Sequence, residues 1–136
     1  MIGLVIATHS RLAEEFLRAA EMIIGPVQNA RAVCIQPEDS VEAIRGNMLQ
    51  AMQEAGDQGA GVVIMTDMFG GTPANLSISF LDPHKVEVLT GVNLPMVLKF
   101  FNSQEELTLP ELVAMLKAYG QQSISLASEF LQKQSL

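Results

Sequence analysis

At 136 residues and 49% hydrophobic composition, the chain has enough apolar material for a real core, and one domain spanning 1–136 is expected. Eight Lys and Arg against fifteen Asp and Glu leave a net charge of −7, which argues against nucleic acid or an anionic membrane surface and favours a basic protein partner. The single Cys34 has no mate, which excludes a disulfide framework and reads as a small buried thiol in a reducing compartment. Met1 to Ala7 has no basic flank, and no apolar run reaches about 18 residues, so neither signal peptide nor membrane span is expected and the protein reads as cytoplasmic.

Ile2 to Ala7 is a short β-branched run that stops at Thr8-His9-Ser10. From Arg11 the apolar period becomes helical through Leu12, Phe16, Leu17, Ala20, Ile23 and Ile24, with Ser10 as candidate cap and Gly25-Pro26 as the stop. Arg31 to Gln36 is a second strand. Asp39-x-x-Glu42 then offers a capping box for a helix from about Ser40 to Ala55. Val62 to Met65 reads as a third strand, buried on both faces, and the polar Thr66-Asp67 ends it. Gly70 and Gly71 allow a sharp turn and a close backbone approach, and Thr72-Pro73 reads as an N-cap and first helical residue for a helix running to Leu81.

Lys85 to Thr90 is a fourth strand, and Gly91 to Pro95 repeats the glycine, cap, proline punctuation before a short helix through Phe101. Thr108-x-x-Glu111 is a capping box opening a helix to about Tyr119, with Gly120 as its breaker. The tail divides: Ser123 to Ala127 alternates like an edge strand, whereas Ser128 to Gln132 has a helical period. Strands alternating with helices at this spacing imply an α/β fold, a doubly wound, mainly parallel sheet with helices on both faces.

In strand order 2-1-3-4, the first and third strands are neighbours and their carboxyl ends form the crevice where ligands bind. His9 and Asp67 therefore face each other beside Gly70-Gly71, at a helix end that attracts anions. Imidazole is a nucleophile at neutral pH, and a carboxylate on one ring nitrogen leaves the other free to attack phosphorus. Asp67 could also serve only to cap its loop. The glycine pair matches neither the dinucleotide nor the nucleoside triphosphate fingerprint, and a cradle for one phosphate suits it better. His84 lies in a turn and reads as solvated. Met22, Met48, Met52, Met96 and Met115 have core spacing, and two distant histidines with one cysteine support no metal site. A receiver-type signalling domain is the rival, since Asp67 and Thr90 end adjacent strands. Thr8-His9 stands where its metal-binding acidic pair would be.

Four segments carry a resemblance: Gly3 to Ser10, Ala20 to Gly25, Asp67 to Asn75 and Thr90 to Met96. In order and spacing they resemble the enzyme IIA domain of the mannose-family sugar phosphotransferase system. The resemblance implies a phosphotransferase component that accepts a phosphoryl group on His9 from the phosphocarrier HPr and delivers it to an enzyme IIB, without metal or other cofactor. Asp67 would orient the imidazole, and Phe69, Gly70, Gly71 and Thr72 would cradle the phosphate. It further implies a homodimer, with the C-terminal tail adding an antiparallel edge strand to the partner's sheet. A link to the membrane permease would run only through enzyme IIB. No fused enzyme IIB is expected, and a regulatory subunit read out by its phosphorylation state is the alternative role.

Overall fold

The computed structural model describes residues 1–56, 59–103 and 107–134. Four strands, β1 (Gly3–His9), β2 (Ala30–Ile35), β3 (Val62–Thr66) and β4 (Val86–Thr90), form one all-parallel sheet in the order β2-β1-β3-β4. Six helices accompany it among the described residues: α1 (Leu12–Ile24), α2 (Val41–Ala55), α3 (Thr72–Ile78), α4 (Leu94–Ser103), α5 (Leu109–Gln122) and α6 (Ala127–Gln134). The expected fold class and strand order are therefore those observed.

Period-2 side-chain alternation splits the central strands between two cores. Ile2, Leu4, Ile6, Val63 and Met65 pack with Ala13 and Ala20 of α1, Phe100 of α4 and Leu112 and Leu116 of α5. Val5, Ala7, Val62 and Ile64 pack instead with Ile44, Met48 and Ala51 of α2 and Leu76 of α3. Covering both faces is why β1 and β3 read as continuous apolar runs rather than as alternating ones. Each large side chain so buried contributes about 1.5–3 kcal/mol from transfer alone.

Several local expectations change. Ser10 does not cap α1: it sits at φ 53°, and the buried Thr8 Oγ1 accepts the Ala13 N–H at 2.7 Å instead. Ser40, not Asp39, caps α2 by accepting the Ala43 N–H at 3.1 Å, while Asp39 accepts the Gln36 N–H at 2.9 Å. Helix α3 has Gly71 at its N-cap and Thr72 as its first residue, so the Thr72 hydroxyl is not the cap. It is seven residues long, and Ser79 to Leu81 continue as three-residue turns rather than as α-helix.

Gly120 lies inside α5 because a close packing contact needs it there. A Cβ at this position would stand 2.6 Å from Met96 Cε, and the Gly120 carbonyl accepts from Asn93 Nδ2 at 2.9 Å. The same Asn93 caps α4, Oδ1 accepting the Met96 N–H at 3.0 Å, so one side chain ties the starts of α4's turn and the end of α5 together. The Thr108–Glu111 capping box forms as expected. Met48 and Met96 are buried, whereas Met22 is 88% exposed, since α1 turns that face away from the sheet. His84 is exposed in its turn. Cys34 is only half buried. In the tail, helix prevails from Ala127, and 123–126 carry no strand pairing in the described chain. Ile124, 78% exposed, lines an open hollow of about 340 Å³ with Val88, Thr90, Met96 and Gly120 beside the unpaired edge of β4.

Candidate functional site

His9 is the last residue of β1 and Asp67 is the first beyond β3, and the register Ala7 opposite Thr66 brings their ends level. The result is a double contact on one oxygen. Asp67 Oδ2 lies 2.8 Å from His9 Nδ1 and accepts the His9 backbone N–H at 3.0 Å, while Oδ1 accepts the Met68 N–H at 3.1 Å. Asp67 thus caps its own loop and also holds a histidine by ring and backbone together. The ring is half exposed, at 51% of its side chain, whereas the carboxylate is sheltered at 13%. Burial pushes the Asp67 carboxyl upward, but hydrogen bonds from the His9 ring and backbone, with the attraction of the His9 charge, outweigh it and hold the group below its ordinary range. A carboxylate accepts only, so in the neutral imidazole Nδ1 is the protonated nitrogen and Nε2 keeps its lone pair.

The backbone around His9 is fixed on three sides. Besides the Asp67 contact, Ser10 donates its N–H to the Ile35 carbonyl at 2.8 Å, tying the turn to β2, and Thr8 secures the start of α1. Nε2 is directed at the glycine loop. A Cβ at Gly71 would fall 2.8 Å from His9 Cε1 and 3.1 Å from Nε2, so only a residue without a side chain lets the reactive edge sit there. Gly70, at φ 93°, supplies the left-handed backbone that turns the loop. Thr72 is exposed and shares a recess of about 330 Å³ with His9, whose other walls include Ser10, Ile35, Pro37 and Ile44. Between Asp67 and Gly70 in the same loop, Met68 is 55% and Phe69 74% exposed, two apolar side chains on a protein of net charge −7.

Of the residues singled out for the site, His9 and Asp67 are in contact, Gly71 abuts the imidazole and Thr72 shares its recess, while Gly70 turns the loop and Phe69 is exposed in it. Thr8 and the His9 backbone contact went unread. A threonine closing an apolar strand just before a helix was the available signal, because its hydroxyl can accept a first-turn amide. Among the described residues no group of three or more His, Cys, Asp or Glu could hold a metal ion. Among them, too, no helix is long and apolar enough to cross a membrane.

Residues 3–117 match the family described as "PTS system fructose IIA component", EIIA-man. The chain is 31% identical over 134 residues to the "PTS system fructose-specific EIIA component" of Bacillus subtilis (strain 168), covering 98% of this chain and 91% of that one. It is 30% identical over 125 residues to the "PTS system mannose-specific EIIAB component" of Escherichia coli (strain K12), covering 90% of this chain and 38% of that protein. The fold superimposes with a TM-score of 0.81 on the mannose/sorbose-specific IIA subunit from Enterococcus faecalis, at 29% identity, covering 91% of this chain and 92% of that one. With an EIIA from Streptococcus agalactiae the TM-score is 0.85 at 22% identity, covering 95% and 99% of the two chains. The chain belongs to the mannose-type enzyme IIA family, components of the sugar phosphotransferase system.

Proposed function

We propose that this protein is a phosphocarrier whose His9 accepts a phosphoryl group from phospho-HPr and passes it to an enzyme IIB. The observation that carries this reading is the 2.8 Å contact between His9 Nδ1 and Asp67 Oδ2, which leaves Nε2 as nucleophile against the glycine loop. In the transfer, the Nε2 lone pair forms a new P–N bond as the donor's P–N bond breaks, and that electron pair returns to the donor's ring. The Nδ1 proton stays on His9, facing Asp67, which stabilises the cationic character the ring gains. One P–N bond is exchanged for another with no net proton movement, so the protein's work is positioning and electrostatic support.

The amides of Gly70 and Gly71 and the Thr72 hydroxyl cradle the phosphoryl oxygens, and the hydroxyl is free for this because Gly71 is the N-cap. No cofactor takes part. Exposed Met68 and Phe69 give the protein partners an apolar foothold beside His9, and the net charge of −7 favours a basic donor. The setting is cytoplasmic, with the membrane permease reached only through enzyme IIB. A homodimer covers the open edge of β4 and the hollow at Ile124. Incubation with phosphoenolpyruvate, enzyme I and HPr, without ATP, should load one phosphoryl group per chain. The label should be acid-labile and alkali-stable, and absent from His9→Ala. An alkali-labile, hydroxylamine-sensitive label would transfer the reading to an aspartyl phosphate.

A further inference from the structure

We infer that Ser10 is a further ligand of the phosphoryl group on His9, donating its hydroxyl to a phosphoryl oxygen from the β2 side of the crevice. This rests on the function proposed above and names a residue that the glycine-loop cradle does not include. Three independent features converge on it.

The first is backbone conformation. Ser10 holds φ 53°, a left-handed conformation that glycine adopts freely and serine adopts at a cost. That conformation is imposed by the main chain, because the Ser10 N–H is bonded to the Ile35 carbonyl at 2.8 Å. The fold itself would therefore be better served by glycine.

The second is that the hydroxyl does nothing for the fold. It does not cap α1, whose Ala13 N–H goes to Thr8, and it has no hydrogen-bond partner among the described residues. Ser10 is exposed, so its donor stands in solvent until something polar arrives.

The third is location and charge. Ser10 shares with His9 and Thr72 the recess of about 330 Å³; no Lys or Arg lines that recess, whereas Asp39, whose carboxylate accepts the Gln36 N–H at 2.9 Å, does. The adjacent Arg11 is directed to Glu14, 3.6 Å away. A phosphoryl group brings up to two negative charges and three oxygens into a site without a cation, so each must be met by an amide or a hydroxyl. The glycine loop and Thr72 approach from the β3 side. Ser10 is the hydroxyl available on the other.

A hydrogen bond to the dianionic phosphoryl group favours that form over the monoanion, so removing it raises the group's proton affinity. Wild type, Ser10→Ala and Ser10→Gly would be charged chemically with phosphoramidate, which needs no HPr, and titrated by phosphorus NMR. We expect the phosphohistidine midpoint to move upward by about one pH unit in both variants, a tenfold change in proton affinity of the size expected for one bond to a charged group. Ser10→Gly should at the same time melt higher than Ser10→Ala, since it relieves the left-handed backbone that alanine retains. Equal midpoints in all three proteins would overturn the inference, as would a shift in Ser10→Gly opposite to that in Ser10→Ala, which would mark a backbone effect. A wild-type protein that HPr fails to charge would overturn the proposed function, while the chemically charged midpoints still decide the role of Ser10.

Discussion

Replacing Gly71 by alanine isolates the packing of the imidazole from the stability of the fold. The backbone there is extended, φ −100° and ψ 176°, so alanine is accommodated without strain. Its Cβ, however, would stand 2.8 Å from His9 Cε1. Carbon atoms rest at about 3.5 Å or more, so the ring must retreat by roughly 0.7 Å. A retreat of that size lengthens the 2.8 Å contact with Asp67 to at most about 3.5 Å, the outer limit of a hydrogen bond. A bond to a charged group is worth about 1.5–3 kcal/mol when lost outright, so phosphoryl transfer should slow by up to about 150-fold. Stability should stay within about 1 kcal/mol, because the lost N-cap preference is offset by the stiffer unfolded chain. Quench-flow with charged HPr gives the rate, and a thermal melt by circular dichroism gives the stability. Wild-type transfer by a folded Gly71→Ala protein would refute the placement of the reactive nitrogen against this loop.

Asp67→Asn should retain the fold but transfer about 10²-fold more slowly or worse, as the charge that holds the tautomer is lost. The same variant carries a pH signature. Because the folded Asp67 carboxyl is held below its ordinary range, its stabilisation is present above that range and is lost as pH falls through the lowered folded value. The stability gap between wild type and Asp67→Asn in urea titrations should therefore shrink across the acid limb, and a constant gap would contradict the cause assigned to the shift. Thr8→Val keeps the shape but removes the acceptor for the Ala13 N–H, which should cost about 1 kcal/mol, whereas Thr8→Ser should restore most of it. In light scattering at tens of micromolar, on the order of assay concentration, the protein should be a homodimer that dissociates when the chain is cut after Gln122; a monomeric wild type would refute the covered β4 edge.

The fold was legible because both faces of β1 and β3 are buried, which leaves apolar runs too short for helices and too continuous for a one-sided sheet. Strand order was that of a flavodoxin-like doubly wound sheet, and from it came the meeting of His9 and Asp67, 58 positions apart. The capping misreadings are local contests between neighbouring polar groups. Ser10, Asp39 and Thr72 each have the right chemistry for a cap, but Thr8, Ser40 and Gly71 hold the positions that the main chain presents to the first turn. Gly120 has two readings in the sequence, a helix stop or a packing contact, and only the approach of Met96 distinguishes them. Met22 has core spacing yet faces solvent, since periodicity marks a stripe without saying what covers it.

The central claim is that His9 presents Nε2 to the phosphoryl donor while Nδ1 keeps its proton against Asp67. Long-range proton–nitrogen correlation spectra of the histidine rings, recorded before and after charging by HPr, report both nitrogens at once. The free protein should show the Nδ1-protonated tautomer at His9, and the charged protein should show phosphorus coupled to Nε2 of that ring alone. Phosphorus on Nδ1, on His84 or on a carboxylate would contradict the account.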